Sequence, residues 1–481
     1  MAGKEVSGRN DINRRTFLAQ SARGTAALGL STAFVKGASA ERPPRVDPNE
    51  PSVGSLPDPD GPIRLGFIGV GGIGFRHMWR FWELREDGYN LDIRAASDCY
   101  QQRKAQAANW AEAAIGHCID TYFDYRELLK RDDIDAVVIA PPDHWHALCT
   151  IHALEAGKDV YCEKPLTLTA EEALEVRNAV YRTGRVFTCG AQRTSDPAYR
   201  RARQFVDDGS LGTVIAVHAD VGMNFSTAAN PDSSGVWDWH IDPNASDDPE
   251  AGDFYIDWKQ WLGPAPERPY SAPRFFRFRK FWDYSGGITT DFSFHQVAPL
   301  HIALGCGAPE QAAATGGRYL HRDFMEVPDT LAGCLDYPED FSMLLTASIA
   351  NSRGSANMIR GSRATVIFED WGLIRVEAEN GHRSWFAERH GSENLIINAM
   401  EETGQTATSR DAHRRNWLDC IRTREHTNCP VEIAADTMVG MRMIVDAYRK
   451  EQTIYWDREQ EAYVDSHPRP NRRSKFPEIE A

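Results

Sequence analysis

From residue 63 onward, short apolar runs alternate with stretches whose apolar positions recur at helical intervals. Residues 63–70 (Ile-Arg-Leu-Gly-Phe-Ile-Gly-Val) form the first run, and 75–85 beyond it has helical spacing. Strand-like runs follow at 91–97, 135–140 and 159–162, with a helix ending at Ala156 between the last two. Strand and helix in alternation predict an α/β fold built on a doubly wound parallel sheet. Beyond 186–189 the pattern changes. A helix is predicted at 197–207, then strand-like runs at 214–221, 330–335, 342–349 and 364–368, which suit a large, mainly antiparallel sheet in a second α/β domain.

In a doubly wound sheet, ligands bind outside the carboxyl ends of the strands. The first strand runs into Gly69-Val70-Gly71-Gly72-Ile73-Gly74, which opens the first helix. Glycines there allow a tight turn, close backbone approach to a pyrophosphate, and close packing of helix on strand, with helix N–H groups facing the anion. The second strand ends at Asp98, where a carboxylate accepts a hydrogen bond from an adenosine ribose and repels a 2′-phosphate. NAD is the expected cofactor, with NADP left open by Arg103 and Lys104. Pro141, His144, His146 and Glu163-Lys164-Pro165 follow later strands and should border the same crevice. The i, i+2 spacing of the two histidines, with no acidic partner close in sequence, does not suit a zinc pair, and no metal is expected.

Composition narrows the classes. The 481 residues carry 54 Lys+Arg against 69 Asp+Glu, a formal charge of −15 without any basic stripe, which argues against nucleic-acid binding. No run approaches the ~20 apolar residues that cross a bilayer, so no membrane partner is expected. Asn13-Arg14-Arg15-Thr16-Phe17-Leu18, the apolar run 25–35 and Ala38-Ser39-Ala40 read together as a twin-arginine export signal over 1–40, which predicts a periplasmic or other extracytoplasmic location. A proline-rich arm spans 41–62, a nucleotide-binding domain 63–188, a second domain 189–465 and a tail 466–481. Nine cysteines without a C-x-x-C pair form neither a disulfide framework nor a zinc site, and fit folding in a reducing compartment before export.

The glycine turn, Pro141-Pro142-Asp143-His144-Trp145-His146, Glu163-Lys164-Pro165, Gln192-Arg193 and Gly286-Gly287-Ile288-Thr289-Thr290-Asp291-Phe292-Ser293-Phe294-His295, in this order, resemble the Gfo/Idh/MocA oxidoreductases. The resemblance covers almost the whole chain beyond the signal. It implies an N-terminal Rossmann domain and a C-terminal α/β domain whose large open sheet binds substrate and joins copies into a homo-oligomer. It also implies Lys164, Asp291 and His295 as catalytic residues. Asp291 and His295, four apart on an expected helix, should project from one face. In an alcohol oxidation a base removes the hydroxyl proton while hydride leaves the carbinol carbon, and a histidine titrating near neutrality suits that base. His295 takes the role, Asp291 orients it or binds a neighbouring hydroxyl, and Lys164 hydrogen-bonds the reacting oxygen. Pro165 is expected to follow a cis bond. Ala298 stands where many relatives have an aspartate, which removes one orienting partner from His295.

The segment 224–284 is rich in aromatics, including Trp237, Trp239, Trp258, Trp261, Phe275, Phe276, Trp282 and Tyr284. Most are expected to form core or interface. Trp282 and Tyr284, beside the catalytic segment, and Arg193 are the candidates for substrate contact, and Gln192 at the domain junction for cofactor contact. The resulting expectation is an exported NAD(P)-dependent oxidoreductase acting on a sugar or polyol hydroxyl with a tightly held nicotinamide. The alternatives are a redox-neutral, NAD-dependent glycoside hydrolase and a non-catalytic sugar-binding protein.

Overall fold

The structure, a computed structural model, describes residues 56–225, 240–406 and 409–469. The export signal, most of the proline-rich arm, Trp237, Trp239 and the end of the tail lie outside the described residues.

Six strands form the first sheet: β1 (Ile63–Ile68), β2 (Leu91–Ser97), β3 (Asp120–Tyr122), β4 (Ala136–Ile139), β5 (Asp159–Cys162) and β6 (Phe187–Cys189). They run parallel in the order β3-β2-β1-β4-β5-β6. Helices cover both faces, so β4 and β5 are buried at every position and read in the sequence as continuous apolar runs. The order reverses direction between β1 and β4, which opens a crevice at their carboxyl ends. The first helix, Gly72–Glu83, begins three residues before the expected position because its opening turn is glycine and carries no apolar signal.

The second sheet has eleven strands: β7 (Val214–Asn224), β8 (Gln311–Gly317), β9 (Thr330–Asp336), β10 (Ser342–Ser348), β11 (Ala350–Asn351), β12 (Asn357–Gly361), β13 (Ala364–Asp370), β14 (Leu373–Ala378), β15 (Asn394–Asn398), β16 (Ile454–Asp457) and β17 (Ala462–Val464). Its main path is β15-β14-β13-β12-β7-β10-β9-β8-β16-β17, with β11 on β7. The sheet is antiparallel as expected, except that β10 pairs parallel with β7. Along β10, Met343, Leu345 and Ala347 are buried while Leu344 and Thr346 face outward. The buried face meets the helix Val431–Lys450, whose Ile444 comes so close to β9 that a Cβ on Gly333 would lie 2.4 Å from its Cδ1.

Two later segments return to the first domain, which the sequence pattern did not anticipate. The helix Ser409–Thr423 inserts Trp417, Leu418 and Ile421 into the core beneath β1. Trp417 is fully buried and meets Phe81 and Tyr161 edge to face, with centroids 5.5 and 5.6 Å away. The aromatic segment clamps the end of β2: Gln101 N donates to Tyr255 O (2.9 Å) and Asp257 N to Cys99 O (2.8 Å). Tyr100 then packs with Ile256, Trp258, Trp261, Phe275 and Tyr284 in a separate cluster, so most of these aromatics are core, as expected.

Truncating a buried tryptophan costs about 3–5 kcal/mol. Trp417→Ala should therefore destabilise the protein by that amount in urea denaturation, and a loss below about 1 kcal/mol would refute the docking of this helix in the nucleotide-binding core.

Candidate active site

The crevice is lined on one side by Gly69, Gly71, Gly72 and Ile73, and on the other by Lys164, Asp291 and His295. Gly69 has φ +79°, and a Cβ on it would lie 2.5 Å from Pro141 N. A Cβ on Gly74 would lie 1.9 Å from Gly69 O, so Gly74, which is not in the cavity wall, serves by letting the helix pack on the turn. The helix starts without a side-chain cap, leaving backbone N–H groups facing the crevice. Asp98 lines the cavity and ties the turn together: its Oδ2 accepts from Val70 N (3.0 Å) and its Oδ1 from Tyr100 N (2.9 Å). Burial pushes the Asp98 carboxyl up, against the pull of Arg103. Arg103 sits over Gly71 and over the Phe275 ring (4.9 Å), inside the cavity. Lys104, the second residue that left NADP open, places its Nζ 3.3 Å from the Phe123 ring centroid. The residues present fit a dinucleotide: a bare glycine turn, an uncapped helix start, a carboxylate at the end of β2 and an arginine over the turn.

At the other wall, the Lys164–Pro165 peptide is cis, as expected. Lys164 Nζ donates to the Asp291 carboxylate and to Asp291 O (2.9 Å), and Arg279 Nε donates to Asp291 Oδ2 (3.0 Å). Asp291 is 1% exposed. Burial opposes its charge, but Arg279 and Lys164 outweigh burial and hold its carboxyl at about 2. Glu163 is buried beside it. Its Oε1 lies 2.7 Å from His77 Nε2 and accepts from Gln192 Nε2 (3.2 Å), and His77 Nδ1 faces Arg414 Nε (3.2 Å). Arginine can only donate, so His77 is neutral with its proton on Nε2. Its downward shift, caused by burial and then Arg414, agrees. Burial pushes Glu163 up, yet the His77 bond and neighbouring charges bring it to about 2.

His295 departs from expectation in two ways. It does not share a helix with Asp291: Gly287–Asp291 and Phe294–Leu304 are separate helices with Phe292 and Ser293 between them. Asp291 spends its carboxylate on Lys164 and Arg279 instead of orienting the imidazole. Nor does His295 titrate near neutrality, because burial first and Lys164 second lower it to about 3, against Glu163 and Asp291. It is a neutral imidazole in the cavity wall.

Among the other candidates, Pro141, His146 and Gln192 line the cavity. His146 Nδ1 lies 2.6 Å from Pro165 O and Nε2 2.9 Å from Pro141 O, so both nitrogens meet acceptors. Burial opposes its charge, but Cys162, Asp143 and the Pro165 carbonyl raise it to about 9. His144 turns away, its Nε2 3.1 Å from Trp261 O and its ring against Trp261 and Tyr284, and burial lowers it to about 4. Arg193, Trp282 and Tyr284 are also outside the wall. Arg193 bonds Tyr199 OH (3.4 Å), Trp282 stacks under Arg449 (4.9 Å), and Tyr284 is sealed against Trp261. The aromatic segment instead presents Gln260, Trp261, Phe275, Phe276, Phe278 and Arg279. Arg76, Asp143, Arg410 and Arg414 also line the cavity and were not anticipated. Isolated charges such as Arg76, and two arginines four apart on a surface-like helix such as Arg410 and Arg414, do not say which cavity they enter, and only the position of Asp143 inside Pro141-Pro142-Asp143-His144 could have pointed to it.

Comparison with known proteins agrees with this construction. Residues 63–191 match the oxidoreductase family, NAD-binding Rossmann fold, and residues 202–312 that family's C-terminal alpha/beta domain. A glycosyl hydrolase family 109 protein of Shewanella baltica is 32% identical over 180 residues, 36% of this chain and 38% of that protein. An inositol 2-dehydrogenase of Klebsiella pneumoniae is 31% identical over 171 residues, 34% of this chain and 49% of that protein. The chain thus spans less than half the length of these curated relatives. In fold, it is similar to levoglucosan dehydrogenase in complex with NADH, with TM-score 0.60 and 18% identity over 81% of this chain and 98% of that one. An oxidoreductase domain protein from Kribbella flavida gives TM-score 0.61 and 20% identity over 82% and 98%. With both characteristic domains in order, and the glycine turn and the Lys164-Asp291-His295 wall facing one crevice, the chain belongs to the Gfo/Idh/MocA oxidoreductase family.

Proposed function

We propose that the protein oxidises or reduces a CH–OH group of a sugar or polyol, using a nicotinamide cofactor held tightly against the glycine turn. The observation that carries this proposal is the single cavity that joins that turn to Lys164, Asp291 and His295. Gly69, Gly71, Gly72, Asp98 and Arg103 would hold the dinucleotide, which when bound supplies the hydride acceptor and donor. Lys164 Nζ, steadied by Asp291, presents a positive charge to the reacting oxygen and favours its alkoxide form. A ring nitrogen of His295, neutral and buried, accepts the hydroxyl proton as the carbon loses hydride, and returns it in the reverse direction. The substrates named for relatives and fold neighbours, inositol and levoglucosan, support a polyhydroxylated substrate.

A second activity has its own support. The similarity to a glycosyl hydrolase family 109 protein favours a redox-neutral glycosidase, in which the hydride taken from the sugar is returned within the same turnover. Both activities suit an exported enzyme with a retained cofactor, which the twin-arginine pattern supports. A homo-oligomer through the second sheet is supported by Ile215, Leu344 and Ile396, three large apolar residues exposed on β7, β10 and β15.

The protein purified from its natural compartment should release about one nicotinamide nucleotide per chain on denaturation. With levoglucosan or myo-inositol it should change NADH absorbance, whereas release of a phenol from aryl glycosides without net NADH change would select the glycosidase. Lys164→Met and His295→Ala should each lower kcat by about 10²–10⁴-fold while NADH remains bound, and full activity in both would sink the assignment. The buried, lowered His295 also predicts kcat/KM for oxidation without an inflection near pH ~6.5, where an ordinary histidine base would protonate and activity would fall. A pH profile that halves near that value would contradict this environment.

A further inference from the structure

Most of the lysines and arginines in the cavity wall are spent within the protein. Lys164 and Arg279 hold Asp291. Arg103 stacks on Phe275, with its Nη1 3.9 Å from Asp98 Oδ1. Arg414, its side chain 2% exposed, donates to Asp411 Oδ1 (2.8 Å) and to His77 Nδ1 (3.2 Å). Arg76 and Arg410 differ: both line the cavity, both are exposed, and neither makes a side-chain hydrogen bond, ion pair or ring contact with any described residue. The chain has acids to spare, and arginines of the same two helices outside the cavity find them. Arg80 pairs with Glu83 (2.9 Å) and Arg415 with Asp87 (2.7 Å). Arg76 lies four residues after Gly72, the first residue of its helix, so its side chain leans back toward the glycine turn. Arg410 lies four before Arg414 on one face of the helix Ser409–Thr423, and the bond from Arg414 to His77, the residue after Arg76, ties that face to the first helix. Two cations, one from each domain, thus stand in the wall beside the glycine turn without a counter-charge.

We propose that Arg76 and Arg410 together take the pyrophosphate of the dinucleotide, a role that rests on the nicotinamide cofactor proposed above and adds to it a contact from the second domain. A pyrophosphate is anionic and only accepts hydrogen bonds, whereas a guanidinium is cationic and only donates them, so the two match in charge and in bonding. The glycine turn offers such a group backbone N–H donors, and the arginines add formal charge. Because Arg76 sits on the first helix and Arg410 on the returning one, a group shared between them is held by both domains at once and leaves only when both release it. That double hold is a physical basis for tight retention of the cofactor.

The test uses the full chain, stripped of nucleotide with charcoal, as wild type, Arg76→Ala, Arg410→Ala and Arg410→Lys. NADH, ADP-ribose and adenosine are titrated calorimetrically at low and at high ionic strength, and the melting temperature of the ligand-free protein is measured alongside. Each alanine variant should bind NADH and ADP-ribose about tenfold or more weakly than wild type at low ionic strength, and its affinity should fall less as salt is added. Arg410→Lys, which keeps the charge but not the planar fork, should recover part of the loss. Adenosine, which lacks the phosphates, should bind all four proteins alike. The ligand-free melting temperature should hold, because neither side chain has a partner to lose. Unchanged affinity for NADH and ADP-ribose in either alanine variant overturns the shared site. A loss with NADH but not ADP-ribose overturns it too, by placing the arginines at the nicotinamide, as does an equal loss with adenosine or one that tracks a lower ligand-free melting temperature. Wild type that binds neither NADH nor ADP-ribose would remove the cofactor reading itself, and this proposal with it, so the two failures are told apart without any measurement of turnover.

Discussion

The active-site wall depends on one buried carboxylate. Asp291 is sealed from solvent and shared between Lys164, at the end of the first sheet, and Arg279, from the aromatic segment. Removing either cation would leave a buried charge short of compensation, which is far more costly than the net worth of the pair. The end of the first sheet and the stretch from Arg279 to Asp291, far apart in sequence, are therefore fixed relative to one another by a single charge. Burial is the main reason His295 stays neutral, and the nearby Lys164 lowers its affinity for a proton further.

The first domain is completed by segments from the second. Asp159, fully buried at the start of β5, accepts from Val186 N (2.8 Å) and pairs with Arg424 Nη1 (2.8 Å), beyond the returning helix. That helix also carries Arg414, which fixes the His77 tautomer and through it Glu163, the neighbour of Lys164. A Rossmann sheet alone would therefore lack both part of its core and part of the support beneath Lys164. The boundary between the two domains is one of sheet topology, whereas the packing and the polar network cross it.

What could be read in the sequence follows from this division. Fully buried strands such as β4 and β5 announce themselves as apolar runs, and the glycine turn has a spacing that geometry demands, so most of the first sheet and its crevice were legible, whereas the three-residue, partly exposed β3 gave no apolar run. The helix Pro197–Asp207 was legible to the residue because Asp196 caps it and a proline opens it. The return of Trp417 was not, since one amphipathic helix gives no sign of which core it enters. Trp282 and Tyr284 misled because adjacency in sequence to Asp291 is not adjacency in space: one stacks under Arg449, and the other is consumed by the aromatic cluster. Arg279 carries a charge that only its pairing with Asp291 makes meaningful, and that pairing is a property of the folded chain.

The distribution of charge along the cavity separates its two ends. Near the glycine turn, Arg76, Arg103 and Arg410 line the wall with Asp98 as the nearby carboxylate, an excess of positive charge that suits a dianionic pyrophosphate. At the other end, Lys164 and Arg279 are matched by Asp291 and Glu163, both held ionised at about 2. Lys164 and Arg279 spend their charge on that pairing, which leaves neither free for an anionic substrate. That end offers instead donors and acceptors fixed by their mutual pairing, beside an aromatic wall from Trp261 to Phe278. An uncharged molecule dense in hydroxyls meets both requirements: it can satisfy fixed polar groups without disturbing the ion pair, and its C–H faces can lie on the rings. A carboxylated substrate would compete with Asp291 for Lys164 and Arg279, and so would loosen the interaction that holds the wall together.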